Sequence, residues 1–156
     1  MQYVHGVETE LRKLAGFPLK IQQRVVAGAL RAGASVMRKT IKPRVPVRTG
    51  ELAATLRIST GRRAGLTVSA VKIGKRSKGV FYAAFVLGGT KAHRIASQGG
   101  LSFAGSVRRS VRHPGMRAQP FMDEAAASSS SSALKAVFDY ADGRVRKIVE
   151  EQRNAP

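Results

Sequence analysis

The residues from Leu19 to Ile41 constrain this chain most tightly: a stretch broken only by glycines, fenced by Pro18 before it and by Pro43 and Pro46 after it. Ile21, Val25, Ala29, Ala32 and Val36 recur at helical spacing, while Arg24, Arg31, Arg38 and Lys42 fall on another face. That period predicts an amphipathic helix of about six turns at 3.6 residues each. Pro18 suits its start, because the first turn leaves its N–H groups without partners anyway. Gly28 and Gly33 lie inside the run. Each costs about 1 kcal/mol relative to Ala in a helix, or else lets another element come close.

A second helix is expected to begin at Pro120, with Asp123 and Glu124 in the first turn, where the helix dipole favours acids. Met122, Ala126, Ala133, Val137, Ala141, Val145 and Ile148 would form its apolar face. The run Ser128–Ser132 is made of mediocre helix formers, but its small side chains would allow close packing against the first helix. Gly143 is expected to end or kink the helix near its last turns.

Between the two helices the pattern changes. Pro43 and Pro46 punctuate a linker that reaches a possible N-cap at Thr49, with a helical turn over Glu51–Thr55. Leu56–Thr60 and Leu66–Ile73 alternate in the manner of strands around a turn at Gly61–Gly65. Gly74–Gly79 reads as a second basic loop. Val80–Leu87 is a buried strand or a short helix, which periodicity does not separate; Ala83 and Ala84 favour helix for part of it. After Gly88, Gly89 and Thr90, the stretch Lys91–Arg117 has weak periodicity and reads as a flexible arm that orders on assembly. A short helix over Val7–Ala15 is expected to precede all of this.

The fold class is therefore α+β within one domain spanning 1–156: long helices at both ends, a small antiparallel sheet and an extended flexible arm. The parts run 7–42 (helical), 43–90 (linker and sheet), 91–118 (arm) and 119–151 (C-terminal helix). Both long helices are expected to cover one sheet face.

Charge narrows the function. The net charge is +19, and between Leu11 and Met122 there are 23 Lys and Arg against one acid, Glu51. From Asp123 onward six acids meet five bases. A basic body of this kind suits contact with the phosphates of double-stranded DNA or with acidic protein neighbours. Aromatics are too few for a base-stacking single-strand binder. The basic groups singled out are Arg62 and Arg63, Lys75, Arg76 and Lys78, and Arg108, Arg109 and Arg112. They would face DNA in a channel or a neighbouring ring.

Catalysis finds little support. The chain has no cysteine, so thiolate metal sites and disulfides are excluded. A metal-dependent nuclease needs several carboxylates, and the basic body offers Glu51 alone. His93 and His113 could meet around a metal but belong to no spaced ligand motif. The Gly-Lys piece at Gly74 and the Gly-Thr-Lys piece at Gly89 lack the frame of a phosphate loop. No enzyme, cofactor or metal is expected. The opening residues lack the layout of a secretory signal, and no apolar run approaches the ~20 residues of a membrane span. Folding in a cytoplasm, without membrane association, is the expectation.

Three segments occur in a recognisable order. Val45-Pro46-Val47-Arg48-Thr49-Gly50-Glu51-Leu52 comes first, then Phe81–Thr90 with Tyr82, Gly89 and Thr90, then His113–Met122 with Pro120 and Phe121. Together they resemble the neck or tail-completion family of long-tailed, siphovirus-type bacteriophages, small proteins that join head to tail. The resemblance runs from about Val7 to Val149. It departs at Leu87 and Gly88, where relatives carry an acid and an aromatic.

The resemblance implies a structural virion protein at the head–tail junction, assembled in the host cytoplasm. It implies a homo-oligomeric ring, hexameric in preference to dodecameric, around the DNA exit channel. Its partners would be the head-side connector or stopper, the tail terminator and the tail tube, with non-specific contact to genomic double-stranded DNA. A tail terminator, a minor tail protein or a free double-stranded DNA-binding protein are the alternatives. Pro46, Thr49, Gly50, Leu52, Tyr82, Gly89, Thr90, Pro120 and Phe121 would then be structural motif residues.

Overall fold

The computed structural model describes residues 12, 14–47, 49–74, 82–103 and 105–154. Helix α1 runs Leu19–Ile41 with Pro18 at its N-cap, and tightens into a 3-10 turn at Lys42–Arg44, where Pro43 lacks the N–H to continue it. A one-turn helix, α2, covers Glu51–Ala54. Strands β1 (Arg57–Arg63) and β2 (Leu66–Lys72) follow, then helix α3 (Ala83–Gly88), strands β3 (His93–Phe103) and β4 (Ser106–His113), and helix α4 (Phe121–Arg153). The class is α+β. The expected helix over Val7–Ala15 lies mostly outside the described residues; Arg12, Leu14 and Ala15 are helical.

Helices α1 and α4 lie antiparallel, as their two shared core clusters show. At one end Val25 and Ala29 of α1 pack with Ala141, Val145 and Ile148 of α4, joined by the buried Leu14. At the other, Ile41 packs with Phe121 and Ala125, together with Val45, Leu52, Leu56 and Ala83. Gly33 sits between these clusters, facing Ala133 and Val137. The helix glycines of α1 therefore serve close approach. Helix α4 continues through Gly143, which does not end it, because the residues around it are held by packing on α1.

The buried stripe of α4 is Phe121, Ala125, Ser129, Ala133, Ala141, Val145 and Ile148. It corrects the expected face at Met122 and Ala126, which are only half-buried. Ser129 disguises the register: it occupies a core position, and its hydroxyl is satisfied by donating to the Ala125 carbonyl at 2.7 Å.

Strands β1 and β2 form one antiparallel hairpin, from the pair Arg57 and Lys72 to the closing pair Arg63 and Leu66. The turn is Ala64-Gly65, with φ of 49° and 80°. Two consecutive left-handed residues match the twist of a two-residue hairpin. Arg62 and Arg63, expected in the turn, are thus strand residues. The hairpin runs antiparallel to α1. Near its base Arg38 Nε donates to the Leu56 carbonyl at 3.0 Å, and its tip lies beside Lys20–Ala27. The expectation that both long helices cover this sheet is not met. Helix α1 covers it, and α4 packs along α1 instead, since the stripe of α4 is spent on α1.

The stretch 91–118 is an arm, but one built as a second hairpin, β3 with β4. Its pairs run from His93 with His113 to Phe103 with Ser106, and the register shifts between Ala96 and Leu101. Ser97–Gly100 therefore bulge out of the ladder, which interrupts the alternation of period two and hides the strand in the sequence.

Candidate functional site

The three sequence segments meet in space. The first supplies the linker from Val45 and helix α2, entered through Gly50 at φ 78°. Thr49 makes no capping hydrogen bond, so the expected N-cap gives way to Gly50. Thr55 then locks the segment. Its hydroxyl donates to the Leu52 carbonyl at 2.7 Å and accepts from the Gly74 N–H at 2.8 Å.

The second and third segments are stitched together by backbone. Thr90 and Met116 exchange both hydrogen bonds, at 2.8 and 3.0 Å, and the Gln119 N–H reaches the Val86 carbonyl at 3.0 Å. Gly89, at φ 69°, allows this. A β-carbon there would stand 2.6 Å from the Met116 carbonyl oxygen and 2.7 Å from the Ala118 nitrogen. Pro120 then sets up α4, and Phe121 enters the core beside Leu52 and Ala83.

The convergence leaves a groove of about 570 Å3 at the surface. Pro46, Thr49, Gly50, Leu52 and Tyr82 line it, together with Val47, Phe85, Val86 and Met116. Its lining is apolar although it opens to solvent: Val47 is 74% exposed, Phe85 48% and Met116 37%. Sequence reasoning named the motif residues but missed the groove. The signal was Val47, an apolar residue in a linker that no helix or strand pattern buries; Phe85, in a segment read as buried, is 48% exposed and gave none.

The basic groups do not form one site. Arg62 and Arg63 are exposed at the tip of β1–β2, with Arg62 Nη2 donating to the Gly65 carbonyl at 3.2 Å. Arg108, Arg109 and Arg112 are exposed on β4, and Arg112 pairs in register with Arg94. These two groups border separate concavities. Lys75, Arg76 and Lys78 lie outside the described residues.

His93 and His113 do meet, as facing partners at the base of the second hairpin with ring centroids 5.0 Å apart. Their Nδ1 atoms are engaged by the Lys91 carbonyl at 2.9 Å and the Gly115 N–H at 3.0 Å. Two imidazoles give half of a tetrahedral ligand set. Among the described residues no third His, Cys, Asp or Glu joins them, and no helix is long and apolar enough to cross a membrane.

The hairpin β3–β4 packs on itself, tied to the body at the Thr90 and Met116 bridge. Ile95 is 39% and Val107 76% exposed on it. An isolated two-stranded ribbon is marginal in water.

Residues 7–86 match the model of a family described as "Bacteriophage HK97-gp10, putative tail-component". The match covers the first motif segment and most of the second. No curated protein and no solved structure matches the chain.

Proposed function

Since this chain belongs to the HK97-gp10-like family of bacteriophage tail components, we propose that it is a structural, non-catalytic subunit of a ring at the head–tail junction. One observation carries the ring. The molecule presents an apolar groove lined by Val47, Phe85 and Met116 and, separately, a hairpin with Val107 and Ile95 uncovered. Two unlike surfaces that pair make a heterologous interface, and such an interface gives a ring where its rotation closes. The hairpin of one copy covers the groove of the next. Six copies match a sixfold tail.

Arg108, Arg109 and Arg112 travel with the hairpin and meet the acidic surface of a neighbouring ring. Arg62 and Arg63 stay with the body. The neighbours are the head-side connector or stopper on one side and the tail terminator and tube on the other. Membership in a tail-component family and the basic surface both support a position on the DNA exit path.

Particle assembly without the protein tests the reading. DNA-filled heads and finished tails are expected to accumulate unjoined. Normally joined particles would overturn the junction position, and joined particles with faulty tail tips would reassign the chain to a minor tail role.

A further inference from the structure

Arg24 borders two neighbouring concavities. One, of about 340 Å3, lies between α1 and the tip of β1–β2 and is lined by Lys20, Gln23, Thr60, Arg62 and Thr67. The other, of about 600 Å3, lies between α1 and α4 and is lined by Asp139, Tyr140, Arg144 and Lys147. The strip therefore joins cations from three elements that are far apart in sequence. Its one acid, Asp139, is occupied by Lys135 at 2.8 Å, and Arg144 stands 3.9 Å from Glu151. Lys20, Arg24, Arg62 and Lys147 are exposed and take part in no ion pair among the described residues.

We propose that this strip is a binding track for the sugar-phosphate backbone of double-stranded DNA, blind to sequence. Arg, Lys, Thr, Gln and Tyr are the side chains that contact phosphates, and they supply most of the lining. Five cations in the lining (Lys20, Arg24, Arg62, Arg144 and Lys147) face one carboxylate, Asp139, and that imbalance favours a polyanion as the occupant. Lys20 and Arg24 stand one turn apart on α1, about 6 Å along the axis. Arg144 and Lys147 stand about 4.5 Å apart along α4. The net charge of the C-terminal helix concealed its part, because its acids and bases cancel in sequence while Arg144 and Lys147 share one face. The track deepens the junction reading, which brings DNA past this chain, and it is tested apart from it.

The test is the salt dependence of duplex binding by the purified full chain. Five phosphates neutralised give a slope of log K against log salt of about −4 to −5. The triple variant Lys20→Gln, Arg24→Gln, Lys147→Gln is expected to bring it to about −2, at about 0.9 per lost contact. The charge-matched triple Arg108→Gln, Arg109→Gln, Arg112→Gln is expected to keep the wild-type slope. All six side chains are exposed, and a thermal melt checks that both variants fold. Equal losses from the two triples would mean diffuse attraction and overturn the track. Absence of duplex binding by the wild-type chain at about 50 mM salt would also overturn it and leave an acidic protein face as the occupant. Either result leaves the junction reading standing. Conversely, absence of the protein from particles would sink that reading without touching the slopes.

Discussion

Gly33 of α1 and Val137 of α4 approach so closely that a β-carbon on Gly33 would stand 2.7 Å from Val137 Cγ2 and 3.0 Å from the Ala133 carbonyl oxygen. The ring of Tyr140 covers Gly28 in the same way one and a half turns earlier. Two missing side chains on one helix thus seat two large ones on the other. This crossing ties the two core clusters into a single body.

Gly33→Ala should therefore destabilise the chain by about 1–3 kcal/mol, the usual cost of overpacking, although Ala is the better helix former. Adding Val137→Ala should recover part of the loss, and only part, because the Ala133 carbonyl stays in place. Denaturant midpoints of the two variants measure both effects. A Gly33→Ala protein as stable as wild type would show that the helices are free to move apart.

Phe121→Ala should cost about 3–5 kcal/mol, as truncation of a buried aromatic does. Phe121 lies where all three motif segments meet, and it is 6% exposed. The loss should appear in a thermal melt, with the groove residues among the first to lose hydrogen-exchange protection. An unchanged melting temperature would remove Phe121 from the core.

Adjacent glycines should behave oppositely. Gly89→Ala meets both a left-handed φ and the Met116 carbonyl, and should cost on the order of 1–3 kcal/mol. Gly88→Ala meets open space in a helical position and should be neutral, or stabilising by about 0.4–1 kcal/mol. Urea titrations of the pair decide; equal effects would mean that the Thr90 and Met116 bridge adds nothing.

The helices were legible because α1 and α4 bury long stripes at a helical period, and Pro18 and Pro120 marked their starts. The register of α4 was not, because Ser129 occupies a core position and reads as polar. Chain pattern also hid β3 and β4, since the bulge at Ser97–Gly100 breaks the alternation that announces a strand. The motif residues were legible as a series, but their meeting depends on backbone bonds between Thr90 and Met116, for which no side-chain pattern exists. The track through Arg24 was invisible for a different reason. It draws on three elements, and the sequence reports charge along the chain, not across a face.

Replacing 93–113 by a short flexible linker should leave the body as stable as before, because both core clusters lie outside the hairpin. The same protein should fail to assemble. Circular dichroism melts and light scattering report the two properties separately. A large loss of stability would show that the hairpin belongs to the fold, and unimpaired assembly would show that it is not the donor.

The central claim is a ring of this chain around DNA at the head–tail junction. Electron cryo-microscopy of mature particles tests it most directly, because the antiparallel pair α1 and α4 is long enough to recognise in density. The account predicts six copies of that pair encircling the channel between connector and tail tube, with the hairpin 93–113 of each on the groove of the next. Density for the pair only at the tail tip, or none in the particle, would contradict it.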